Sequence, residues 1–179
     1  MGNFLTLSKG RSYVYRFLKK IDKFKPITTV SAHCDIPCKI YDPINAQLAT
    51  LTIIRMVDLI DQITFNKDSS KNEVTQLNRL IAQKEEHGIK VKYEISVIWG
   101  DYFKEKQIES FPEIHNLTHS IMLIASKAKQ NIDKDASLEL LKKVNRFAEI
   151  FWLSKNIKTY KALCPYPPEK EIIYPDLKS

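Results

Sequence analysis

Apolar residues recur at spacings of three and four through most of this chain, and no other sequence feature constrains the fold as strongly. This period places apolar side chains along one face of an α-helix. Between residues 44 and 158 four segments carry such a face: Ala49, Ile53, Met56, Ile60 and Ile63; Val74, Leu77 and Ile81; Ile114, Leu117, Ile121, Ile124 and Ala128; and Leu140, Val144, Phe147 and Phe151.

The breaks between these segments are short and polar. Residues 66–70 and 130–135 have the length and composition of loops, and Asp133 or Asp135 is placed to cap the last helix. Amphipathic helices joined by short loops pack as antiparallel neighbours. The sequence therefore predicts an all-α fold, an antiparallel four-helix bundle preceded by an irregular N-terminal segment.

One stretch of the chain carries a different pattern. Residues 89–97 alternate between apolar and polar side chains, as a half-buried β-strand does. A single strand would leave its backbone groups unpaired, and the sequence offers no second convincing strand. We therefore expect the end of a helix followed by an extended crossing.

The net charge of +7 is concentrated at the N-terminus. Of 28 basic and 21 acidic residues, seven and one lie in residues 1–32, which leaves 21 and 20 for the rest of the chain. A nearly neutral body gives little electrostatic support to nucleic-acid binding. The sequence has neither a long apolar run nor a secretory signal, so we expect no membrane partner and a cytoplasmic location.

These features divide the chain into three regions. Residues 1–32 form a basic segment, interpreted as a removable prosegment, and residues 33–158 form the helical domain with an irregular start at 33–43. Residues 159–179 form a tail that contains Pro165, Pro167, Pro168 and Pro175, and we expect this tail to be extended.

The densest group of soft metal ligands lies at the start of the domain. His33, Cys34 and Cys38 are close in sequence, and Pro37 disfavours a helix between the two cysteines. A curled segment can direct both sulfurs to one point. Imidazole and thiolate ligands suit nickel, copper, zinc or iron, so the residue types leave the metal open. Cys164 stands alone in the tail.

The residues before His33 suggest proteolytic processing. Val30, Ser31 and Ala32 are small, and cleavage after Ala32 would leave His33 with a free α-amine. An α-amine has a pKa near about 8 in model peptides and loses its proton to a metal far more easily than a lysine does. One residue would then offer two nitrogen ligands.

The sequence resembles nickel-containing superoxide dismutases at four points. Residues 32–43, AHCDIPCKIYDP, are similar to the family's processing site and metal-binding hook. Residues 96–104, SVIWGDYFK, residues 112–115, PEIH, and residues 150–152, IFW, follow in the family's order. The resemblance covers roughly residues 30–158.

The resemblance implies a specific site and reaction. The α-amine and imidazole of His33, the amide nitrogen and thiolate of Cys34 and the thiolate of Cys38 would bind one nickel ion per subunit. Superoxide would be converted to dioxygen and hydrogen peroxide as nickel cycles between Ni(II) and Ni(III). The resemblance further implies a homohexamer made after a peptidase removes the prosegment.

Three more residues acquire expected roles from the resemblance. Asp35 and Tyr41 match residues that line the family's approach to the metal, and Tyr102 matches a second tyrosine close to the hook. We therefore expect all three near the reacting centre.

Three positions depart from the family's pattern. Lys39 stands where the family usually has glycine, so a backbone with positive φ would be strained there by roughly 1 kcal/mol or more. Otherwise Lys39 adds positive potential near a site that attracts an anion. By spacing, Ala49 and His87 occupy the positions of the family's Glu–Arg pair, which orients the axial histidine.

Other readings of these residues stay open. The chain could keep the hook as a metal-binding or interaction bundle without dismutase activity, or the cysteines could form a zinc or copper site. His115 and His119, four residues apart with Glu113 nearby, could suggest a second metal site, but we interpret them as structural. His87 is expected at the surface.

Overall fold

The computed structural model describes residues 39–63 and 70–178. In these residues, helix α1 spans Ile44–Asp61 and α2 spans Lys71–Val97, which continues into a π-helical turn at Ile98–Tyr102. A short helix α3 at Glu105–Ser110 precedes α4 at Ile114–Gln130 and α5 at Lys134–Leu153. Strands β1, Thr159–Leu163, and β2, Glu171–Pro175, follow.

The four long helices pack in a closed ring. Helix α1 contacts α2 and α5, and α4 contacts the same two helices. Ile53, Val91, Ile121 and Phe147, one from each helix, are fully buried in a shared core cluster. The predicted antiparallel four-helix bundle is confirmed. None of the helices in the described residues is long and apolar enough to cross a membrane.

Two of the long helices begin at side-chain caps. The hydroxyl of Ser70 accepts a hydrogen bond from the backbone N–H of Glu73, and the Glu73 carboxylate accepts one from the Ser70 N–H. Asp133 accepts from the N–H of Ala136 at 2.8 Å, as predicted for the last helix. This bond, with the nearby Lys127 ammonium, lowers the pKa of the Asp133 carboxyl.

Helices α2 and α4 approach closely at the end of α4. Lys84, 2% exposed, donates hydrogen bonds from its ammonium to the carbonyls of Ala128 and Lys129. These carbonyls belong to the last turn of α4, where the helix has no further N–H groups to donate to them. One turn further along α2, a Cβ at Gly88 would lie 2.9 Å from the Cβ of Lys129, so only glycine permits this spacing.

The expectation of an extended crossing within residues 89–97 is wrong. This stretch is the last part of α2 and stays helical to Val97. Val91, Ile95 and Ile98 are buried in the core, whereas Ile89 is 57% exposed and Tyr93 44% exposed. The buried residues follow spacings of four and three, so burial against the other helices selects the helical period.

The tail after α5 forms a β-hairpin. Strands β1 and β2 are antiparallel, with Ala162 opposite Ile172. Ile172 and Cys164 are buried with Leu51, Ile54 and Leu141 in a second apolar cluster. The sequence predicted an extended tail beginning at residue 159 but did not predict that its two halves pair and pack on the bundle.

Two amide side chains join this hairpin to the bundle. Gln47, 1% exposed on α1, donates to the carbonyl of Ile173 and to the side-chain oxygen of Asn145, both at 3.0 Å. Asn145, on α5, donates to the carbonyl of Glu171 at 2.9 Å. The edge of β2 is thereby hydrogen-bonded to two helices instead of being left open.

The backbone before α1 is strained at one residue. Lys39 has φ of 58°, in the left-handed region that favours glycine. Lys39 therefore carries the strain expected of a non-glycine residue at positive φ. The Lys39 side chain is also exposed, so its positive charge faces solvent.

We predict that Gln47→Ala lowers the free energy of unfolding by about 1–3 kcal/mol, because the buried carbonyl of Ile173 and the partly buried side-chain oxygen of Asn145 lose their donor. Hydrogen exchange should show the largest loss of protection in β2. Gln76→Ala, at an exposed position of α2, is the matched control and should change stability by less than about 0.5 kcal/mol. Equal losses in the two variants would contradict a docking role for Gln47.

We predict that the free energy of unfolding is about 1 kcal/mol higher for Lys39→Gly than for Lys39→Ala, because only glycine relieves the strain of a positive φ. Both variants remove the charge, so their difference isolates the backbone effect. Urea unfolding of the two proteins measures it. Identical midpoints would show that the backbone at residue 39 carries no strain.

Candidate metal centre

A short irregular segment leads from residue 39 into α1. The Asp42 carboxylate accepts a hydrogen bond from the N–H of Ile44 at 2.8 Å, and the carbonyl of Pro43 accepts from the N–H groups of Ala46 and Gln47. Proline is well suited to the start of a helix because its φ is already helical and it needs no N–H partner there. These bonds fix Asp42 and Pro43 at the start of α1, and Tyr41 immediately precedes them in sequence.

Tyr41 lies beside Tyr102, although the two residues are far apart in sequence. The two ring centroids are 6.2 Å apart with the planes tilted by 57°. Both rings are partly buried and pack against the main core cluster. Two of the three residues expected near the reacting centre are therefore neighbours in space.

Aromatic packing at the end of α2 fixes the Tyr102 ring. Tyr102 closes the π-helical turn, and such turns redirect side chains relative to a regular helix. Its ring lies 4.8 Å from that of Phe151 and 5.1 Å from that of Phe103, between centroids. Phe103 and Phe151 are buried, so the ring is attached to a rigid part of the bundle.

Two polar residues after Phe151 also contact Tyr102. The Tyr102 hydroxyl oxygen is 2.7 Å from that of Ser154. The Lys155 ammonium lies 4.7 Å from the Tyr102 ring centroid and 5.0 Å from that of Phe151, in cation–π geometry. Sequence reasoning missed both residues, although Ser154 follows Phe151 by the three positions that place side chains on one helix face.

The expected ligands His33, Cys34 and Cys38, together with Asp35, lie outside the described residues. Their donor chemistry can still be compared with nickel. Two thiolates, an imidazole, an amine and a backbone amide are sulfur and nitrogen donors, which would suit Ni(II). The donor set fits nickel, and the segment that carries it ends at Cys38, three residues before Tyr41 in sequence.

The family's Glu–Arg pair has no counterpart at the matching positions. Ala49 is 2% exposed and packs in the core cluster. The Nδ1 atom of His87 lies 2.8 Å from the carbonyl oxygen of Gln83 on its own helix, and its ring is partly exposed. Neither side chain can form a carboxylate–guanidinium pair.

One of the two histidines of α4 has a hydrogen-bond partner on another helix. His115 accepts a hydrogen bond at Nδ1 from the indole N–H of Trp99 at 3.0 Å, and Glu113 forms an ion pair with Arg146 at 2.8 Å. Over residues 39–63 and 70–178, no group of three or more His, Cys, Asp or Glu side chains could hold a metal ion. The bond to Trp99 gives His115 a structural contact, and the interpretation of His119 stays a prediction.

Comparison with known proteins gives one consistent family. The family model for nickel-containing superoxide dismutase matches residues 28–155, a range that includes the hook and all four long helices and ends before the hairpin. The superoxide dismutase [Ni] of Streptomyces coelicolor is 31% identical over 132 residues, which cover 74% of this chain and 95% of that protein. The enzyme of the same name from Streptomyces seoulensis is 30% identical over the same length.

Solved structures agree with the sequence comparisons. The native nickel superoxide dismutase structure at 1.30 Å matches with a TM-score of 0.60 and 30% identity, over 69% of this chain and 99% of that one. A nickel-containing superoxide dismutase with the nickel ligation of the oxidised state matches with a TM-score of 0.61 and 29% identity, over the same shares of the two chains. The chain belongs to the nickel-containing superoxide dismutase family.

Proposed function

We propose that cleavage after Ala32 converts this chain into an active superoxide dismutase with one nickel per subunit. The α-amine and imidazole of His33, the amide nitrogen and thiolate of Cys34 and the thiolate of Cys38 hold the metal. The observation that carries the proposal is the family match across residues 28–155, which includes every one of these ligands.

The chemistry that nickel supplies when bound is one-electron transfer between Ni(II) and Ni(III), by which one superoxide becomes dioxygen and a second, with two protons, becomes hydrogen peroxide. Amide and thiolate donors are strong enough to stabilise the higher oxidation state. Pro37 limits the conformations of the loop between the two sulfurs and so reduces the entropy lost on binding the metal.

Tyr41, Tyr102 and Asp35 line the approach to this centre. The 6.2 Å separation of the two tyrosine rings supports a shared role, since both hydroxyls are attached to one packed aromatic surface. Asp35 lies between the two cysteines in sequence, at a position that matches a residue lining the family's approach to the metal. The rings restrict the opening to small species.

Positive side chains attract the anionic substrate. Lys155 lies over the Tyr102 ring and Lys39 is exposed one residue after Cys38. Positive charge at the mouth of a site raises the rate of association with an anion, and salt weakens this effect.

The assembled enzyme is a cytoplasmic homohexamer formed after a processing peptidase acts. The exposed apolar side chains Ile89, Tyr93 and Leu123 support further association, since they leave apolar area on α2 and α4 facing solvent in the single chain.

A second candidate function is a bundle that binds nickel without dismutating superoxide. The burial of Ala49 and the bond of His87 to its own helix favour it, because residues supporting a metal ligand tune affinity and redox potential. Nickel uptake without superoxide removal would select this candidate. If protein expressed in the presence of several metals contained zinc or copper, the cysteines would instead form a zinc or copper site.

We predict that the precursor with residues 1–32 intact removes superoxide at least about tenfold more slowly than the chain starting at His33, because an amine locked in a peptide bond is lost as a ligand. Intact mass reports the N-terminus, and metal analysis with stopped-flow superoxide decay reports the site. Full activity of nickel-loaded protein that retains Met1 would contradict the proposed ligand set.

We predict that Lys155→Met lowers the rate constant for superoxide severalfold at low ionic strength, and that the difference shrinks as salt is added. Lys142→Met is the matched control, because the Lys142 side chain is on the preceding helix α5 and is 81% exposed. If both variants lose rate equally, net charge rather than the position of Lys155 governs association.

A further inference from the structure

The hydrogen bond between Tyr102 and Ser154 has a defined direction. The Ser154 hydroxyl oxygen is 2.7 Å from the carbonyl oxygen of Phe151 and 2.7 Å from the Tyr102 hydroxyl oxygen. A carbonyl can only accept, so the single proton of Ser154 is donated to Phe151. Tyr102 must therefore donate its own proton to Ser154.

The turn that carries Ser154 is rigid. Asn156, with φ of 60°, ends α5 in the left-handed conformation common at helix C-termini. The N–H of Asn156 donates to the carbonyl of Leu153 at 2.9 Å, and that of Ile157 donates to the carbonyl of Trp152 at 3.0 Å. Ser154 is thus a fixed acceptor and not a freely rotating surface hydroxyl.

The Tyr102 ring is equally constrained. Phe151 packs on it at 4.8 Å, and the Lys155 ammonium lies over it. With ring and acceptor both fixed, little side-chain freedom remains to be lost when the hydrogen bond forms, so the bond is well populated.

We propose that Ser154 is a positioning residue that holds the proton of Tyr102, so that the phenol presents only acceptor lone pairs to any third group. A phenol oriented in this way binds hydrogen-bond donors, such as water or hydrogen peroxide. It does not bind the superoxide anion, which can only accept. This inference rests on the proposed function for its placement of Tyr102 beside the reacting centre.

The test uses the native metal-bound protein that starts at His33 and the same protein after chelation, with Ser154→Ala, Ser154→Thr and Ser120→Ala. Threonine keeps the hydroxyl. Ser120 is the matched control, since its hydroxyl donates to the carbonyl of Leu117 at 2.8 Å, three residues back, as Ser154 does. Ultraviolet resonance Raman spectra measure the tyrosine Fermi doublet, whose intensity ratio distinguishes a donating from an accepting phenol.

The chain has eight tyrosines, so subtracting the Tyr102→Phe spectrum isolates the Tyr102 signal. We expect a donor-type ratio in the wild type, in Ser154→Thr and in Ser120→Ala, and a shift toward the acceptor-type ratio in Ser154→Ala. Superoxide removal should fall about five- to tenfold in Ser154→Ala, because a phenol that no longer gives its proton to Ser154 loses its selectivity for proton-carrying species, and it should recover in Ser154→Thr.

The outcomes separate this inference from the proposed function. An unchanged ratio in Ser154→Ala would overturn the assigned direction of the hydrogen bond, whatever the activity. A changed ratio with an unchanged rate would overturn the positioning role. Absence of nickel or of superoxide removal in the wild-type protein would instead count against the proposed function, while the spectra would still report on Ser154.

Discussion

Burial of helix α5 is the interaction on which the rest of the structure depends. Helix α5 packs against α1, α4 and both strands of the hairpin. Phe147 and Phe151 are fully buried on it, and each such side chain contributes about 1.5–3 kcal/mol. The same face continues into Ser154 and Lys155, which hold Tyr102. The packing that stabilises the bundle therefore also sets the geometry at the candidate site.

The sequence was sufficient to predict the helices but not every boundary. Three of the four apolar faces and the Asp133 cap could be read directly, because period and capping chemistry are local properties. The face predicted at Val74, Leu77 and Ile81 lies on α2 but is not buried, since Val74 is 36% exposed and the buried residues of α2 begin at Lys84. Residues 89–97 were misread because Val91 and Ile95 are four apart, a spacing that fits both a strand and a helix. Only the burial of this pair, with Ile89 and Tyr93 left exposed, distinguishes the two, and burial depends on the partner helices.

The hairpin was also not predictable from local sequence patterns. Its strands are five residues long and prolines lie between them, so each is too short to give a clear strand pattern. Ile172 is buried only because Leu51, Ile54 and Leu141 provide a surface for it. Such non-local stabilisation leaves no periodic signal in the strand itself.

Some residues of the candidate site could be predicted from the sequence, whereas their contacts are seen only in the structure. The hook was identified through its resemblance to a family, because the residue types alone left four metals open. The proximity of Tyr41 and Tyr102 became visible only in space, as did the contacts of Ser154 and Lys155, which look like an ordinary helix end. Ala49 is buried in the core, so no carboxylate stands at the position where the resemblance places the glutamate of the family's Glu–Arg pair.

The bond between Gln47 and Ile173 also sets an order of events during biosynthesis. It joins residues 126 positions apart, and the first long helix is fully docked only when the last strand reaches it. A ribosome releases the N-terminal end first, so α1 emerges well before its final partner is made. Contacts of such long sequence separation form late and slowly. The bundle therefore completes its packing only after almost the entire chain has been synthesised.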